Sequence, residues 1–202
     1  DFARSKYETA VASLEKANLK LTSLQQEAKT ASVGEVASAT STLTKELSKA
    51  VTAVGVIEDV FEDLTLQNIL SQSQPAEYSE MIINRKEITS KMSSFITRNR
   101  NVASDFRETA AALQDARTLI VEATTVVQRA YDFIARQEPL GLFDYTKKET
   151  LRASLATEKT NVETAYANID TAYKSLYDKI ANFETRIATE EANLVTSQGA
   201  RD

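Results

Sequence analysis

The chain has 202 residues and a net charge of −5, with 42% hydrophobic and 26% charged residues, which is ordinary for one domain that buries a core in water. It has no Cys and no His, so disulfides, thiolate metal sites and the usual neutral-pH general base are excluded, and neither an enzyme nor a cofactor or metal is expected. Acidic and basic residues are interspersed, which makes nucleic acid a poor partner.

Only four Gly and two Pro occur, so the residues that punctuate sheets and tight loops are nearly missing and a few long helices are expected. In the first segment Tyr7, Val11, Leu14, Leu21 and Ala28 follow a four-three spacing, with Asn18 and Gln25 as polar exceptions. A second stripe through Ala10, Ala17 and Leu24 widens this face, as a bundle helix requires. Ser32 and Gly34 read as a turn that closes a helix over about 2–30.

A second helix, about 35–71, carries Val36, Leu43, Leu47, Ala50, Val54, Ile57, Phe61 and Leu64. Gly55 lies off this seam and permits a close helix approach or a bend. Pro75 ends one helix or begins the next. From Ile88 the ladder passes Met92, Phe95, Asn99, Val102, Phe106, Leu113, Ile120 and Val127 to Ile134 without Gly or Pro, which predicts one helix over about 77–137. If it breaks, Asn99-Arg100-Asn101 with Ser104 as N-cap is the place.

The last helix, about 146–197, has Val162, Tyr166, Ile169, Tyr173, Leu176, Ile180, Phe183, Ile187 and Leu194 on one ladder. Leu151 and Leu155 are slightly out of phase, as in a stutter near Glu158. The expected architecture is therefore an all-α, elongated antiparallel helical bundle in one domain. Two shorter helices pack on a long hairpin of 77–137 and 146–197, thick near Pro75 and thin at the 138–145 tip. This arrangement generally resembles spectrin-like, phasin-like and surface-adhesin helical bundles, through heptads that all of them share.

Two features could carry function. The tip holds Leu140, Leu142, Phe143 and Tyr145, four large apolar side chains that either anchor a partner or fold back to plug the bundle. Around Pro75, acidic residues (Glu58, Asp59, Glu62, Asp63, Glu77, Glu80) precede basic ones (Arg85, Lys86, Lys91, Arg98, Arg100, Arg107). A hairpin there sets position 63 near 85, so intramolecular pairing is the plain explanation. An anion-binding patch at Arg98, Arg100 and Arg107 is the sharper one.

Glu58 with Glu62, and Asp59 with Asp63, have the one-turn spacing of metal-holding carboxylates, but without the Glu-x-x-His partners of di-iron bundles. Tyr166, Tyr173 and Tyr177, with Tyr131 opposite, form a stripe that reads as core before it reads as a ligand groove. The expected function is that of a non-enzymatic helical-bundle binding or structural protein engaging another macromolecule, with a protein partner ahead of membrane lipid and a homo-oligomer open. The alternative is a lipid-engaging or pore-forming helical protein that uses the apolar tip. A start at Asp1 and the Ser/Thr richness give secretion or cell-surface display as a further expectation.

Overall fold

The computed structural model describes residues 2–99 and 106–199. They form five helices: α1 (Phe2–Glu62), α2 (Leu64–Ser73), α3 (Pro75–Asn99), α4 (Phe106–Arg136) and α5 (Tyr145–Gly199). The all-α antiparallel bundle expected from the heptads is what forms. The chain divides differently, however, and the difference relocates both ends of the molecule.

The first correction is α1, a single helix of 61 residues where two were expected. The buried positions explain it. Leu14, Ala17, Leu21, Leu24, Ala28 and Ala31 turn inward, whereas Asn18 and Gln25 are exposed. The stripe read as a widening is thus half of the seam itself. Ser32 donates to the Lys29 carbonyl at 2.7 Å inside the helix instead of capping it, and Gly34 has no positive φ. Helix propensity at a lone Gly is lost by only about 1 kcal/mol, which packing along α5 offsets. Nothing lies within 4 Å of a Cβ built on Gly55, so no close helix approach occurs there either.

The second correction is the interval 77–137, which is two helices. Arg98 with Asp115, Lys91 with Glu122, Arg129 with Glu80 and Arg136 with Glu77 pair α3 to α4 in antiparallel register. The break falls at the place named from the sequence, although Arg100, Asn101 and Ser104 lie outside the described residues. Asn99 and Phe106 are seven residues apart, one heptad, so the ladder keeps its phase across the interruption and the break leaves no mark in the pattern.

The long hairpin is therefore α1 with α5, paired antiparallel by Glu27–Arg186 and Glu35–Lys179. α3 and α4 cover only the half of it beyond about Val36, giving a four-helix bundle with a two-helix arm. α5 runs unbroken through Glu158, with Leu155 fully buried.

The bundle end is closed by aromatic side chains. The Phe61 ring centroid is 5.5 Å from that of Phe133 and 5.9 Å from that of Tyr78, and Leu66 and Leu70 of α2 belong to the same buried cluster. The Tyr78 hydroxyl donates to the Phe61 carbonyl at 2.8 Å, and burial raises its pKa. Pro75 begins α3, where its missing N–H is no loss.

Candidate partner-binding surface

The 138–145 loop belongs to this closed end, not to a distant tip. Ser73 donates to Gln137 at 2.9 Å, Lys148 Nζ donates to the Gln137 carbonyl at 2.7 Å, and Lys147 lies 3.4 Å from Asp63. The thin end of the molecule is instead the arm. The reason is topological: once α1 is continuous and α3 doubles back on α4, both interhelix loops near 74 and 140 fall at the same end.

The loop is built around a two-residue turn. Phe143 N–H donates to the Leu140 carbonyl at 3.0 Å and Leu140 N–H to the Phe143 carbonyl at 2.8 Å. Gly141 has φ +59°, and no non-Gly residue among those described has positive φ. Positive φ at the first central position alone is the type II′ pattern, which favours Gly because a Cβ would be strained there. Asp144 then caps α5, accepting the Lys147 N–H at 2.7 Å.

This backbone sorts the four apolar side chains. Phe143 is fully buried and plugs the bundle, so its placement among exposed anchors is corrected. Leu140, Leu142 and Tyr145 are 68%, 75% and 70% exposed. Phe143 thus holds the loop down while Leu140, Leu142 and Tyr145 stay in solvent.

The arginines have acidic neighbours. Arg98 Nη2 is 3.3 Å from Asp115 and Arg107 Nη2 is 3.9 Å from Glu184, while Arg100 is outside the described residues. Arg98 and Arg107 thus each face a carboxylate on another helix. In the acidic block, Glu58 and Glu62 both bind Arg85, at 2.7 and 3.0 Å, and Asp63 faces Lys147. The hairpin register expected from charge is thus met at Arg85, while most other charges pair with α4 or α5.

No group of three or more Asp or Glu residues that could hold a metal occurs among the described residues. Of the tyrosine stripe, Tyr166 and Tyr173 are covered by protein, whereas Tyr177 is exposed, contrary to its reading as core. Arg117 of α4 lies 5.1 Å from the Tyr173 ring centroid and 5.9 Å from that of Tyr166, and its Nη2 is 2.7 Å from Asp170. A hydrogen bond from Lys174, with the Arg117 charge, holds the Asp170 carboxyl below the usual range. Arg152 covers Tyr131 in the same way, at 5.9 Å.

Two buried carboxylates escape the sequence reading: Glu46, paired with Lys49, and Glu190. Glu190 occupies the ladder position between Ile187 and Leu194, is buried in the arm seam, and pairs with Lys20. The signal was a polar residue at a ladder position that the apolar pattern passes over. No helix of the described residues is long and apolar enough to cross a membrane.

No family model, curated protein or solved structure matches the chain. The surface chemistry alone therefore supports the functional reading.

Proposed function

We propose that the chain is a non-enzymatic binding protein that engages a protein partner through the turn at the closed end of its bundle, with Leu140, Leu142 and Tyr145 as the contact residues. The supporting observation is the exposure of these three side chains on a turn whose backbone is pinned by buried Phe143 and capping Asp144. A pinned turn loses little conformational entropy on binding, which favours contact by a small apolar surface. Tyr145 adds an aromatic ring with a hydroxyl, a combination enriched where binding energy concentrates.

The test compares proteins cross-linked to wild type with those cross-linked to the triple variant Leu140→Ser, Leu142→Ser, Tyr145→Ser. All three sites are exposed, so each substitution changes stability by no more than about 0.5 kcal/mol. A species captured by wild type and lost in the variant supports the reading; an identical capture pattern overturns it. Flotation with neutral and anionic vesicles runs in parallel, and flotation that the triple variant abolishes replaces the protein partner with a lipid surface.

A further inference from the structure

The two halves of the α1/α5 hairpin are held together in different ways. In the bundle half, Ile57 and Phe61 of α1 and Leu155, Val162 and Ile169 of α5 are fully buried. In the arm, Leu21 and Leu24 reach 9% and 6% exposure, while Leu14, Phe183, Ile187 and Leu194 stay half-buried. Small seam residues such as Ala17 and Ala28 bury little apolar area, so hydrophobic closure of the arm is weak by comparison.

Polar contacts supply what the seam lacks, and they lie along one flank. Arg186 binds Glu27 through two hydrogen bonds of 3.2 and 3.1 Å, and Lys179 binds Glu35. One turn beyond Arg186, Glu190 sits inside the seam, paired with Lys20 and accepting from Asn193 Nδ2 at 3.2 Å. Seven-residue spacing from Lys20 to Glu27 and from Lys179 to Arg186 keeps these partners on that flank.

We propose that the arm is a clasp, in which residues 2–35 of α1 and 180–199 of α5 open and close as a unit while the four-helix bundle stays shut, with Glu190 as the catch. Opening presents the Phe183, Ile187 and Leu194 stripe of α5, which α1 otherwise covers. The catch is sensitive to acid. The hydrogen bond from Lys20, with that from Asn193, holds the Glu190 carboxyl below its ordinary value. Its stabilisation is therefore complete above the ordinary glutamate range and is lost as pH falls through the lowered one. The charged groups that line its surroundings are Lys20 and Glu27 from α1 and Arg186 from α5 itself.

Hydrogen exchange on the full chain tests this. At pH 7, amides of 10–33 and 182–197 should show protection factors roughly 100-fold below those of 43–61 and 155–169, in line with local opening beside a stable core. Glu190→Gln should lower arm protection several-fold further at pH 7 and leave the bundle unchanged. Glu190→Leu, which continues the apolar seam, should raise arm protection and reduce its loss at pH 3.5. Equal protection in arm and bundle overturns the proposal, as does arm protection at pH 7 that Glu190→Gln leaves intact.

Discussion

Arg85 stands on the inward ladder of α3, between Met81 and Ile88, with its side chain only 4% exposed. A guanidinium there is tolerated because its two terminal nitrogens reach Glu58 and Glu62, whose carboxylates remain about half in water. The arrangement is therefore asymmetric: the cation depends on the pair, and the anions do not. Replacing both Glu58 and Glu62 by Ala should destabilise the protein by about 1–3 kcal/mol, because it strands a buried charge. Arg85→Met should be close to neutral by the same reasoning. Urea denaturation of the two variants checks the sign of the difference, and equal losses would show that the pair itself is what stabilises. The charge register behind this contact was legible to within one residue: a hairpin sets 63 opposite 85, and Arg85 meets Glu62 while Asp63 faces Lys147. The same reading could not show that Phe143 and Leu142, adjacent and both apolar, would be assigned opposite surroundings. That choice depends on which side chain the packed bundle end admits, and Phe143 joins the buried cluster while Leu142 does not.

At the level of helices, Gly34 carries the sharpest test. If α1 is continuous, Gly34→Ala relieves the backbone entropy of a helical glycine and meets no atom within 4 Å. The melting free energy should then rise by about 0.5–1 kcal/mol. If a turn lay there, alanine would instead be strained and stability would fall. Heptad periodicity identified most of the inward stripes of α1, α4 and α5 and the second half of that of α3, and all-α architecture followed from it; it missed Leu66 and Leu70 of α2 and put the exposed Tyr7 on a seam. What it could not supply was continuity. Near residue 32 an ordinary helix contains Ser and Gly and looks broken, whereas between Asn99 and Phe106 the interruption spans one heptad and looks unbroken. Periodicity records which faces are apolar, and a chain can keep its phase through a reversal or carry a poor helix former through a straight run. Leu66 and Leu70, off the phase set by Ile57 and Phe61, were the visible sign that α1 stops before α2.

For the whole molecule, the corrected path predicts distances that the other arrangement does not. A pair of labels at Leu19→Cys and Leu142→Cys, both at exposed sites, should lie about 65 Å apart, given 43 helical residues between Leu19 and Glu62 at 1.5 Å each. Labels at Gln72→Cys and Leu142→Cys should lie close together at the bundle end. A long 72–142 distance from spin-label measurements would restore the tip to the far end and refute the topology. Because the native chain contains no Cys, each pair reports without background. The same topology brings Phe2 and Gly199 out at the arm end, away from both interhelix loops. The turn at 140–143 therefore stands off from the open end of the arm by the length of α1, on the order of 90 Å.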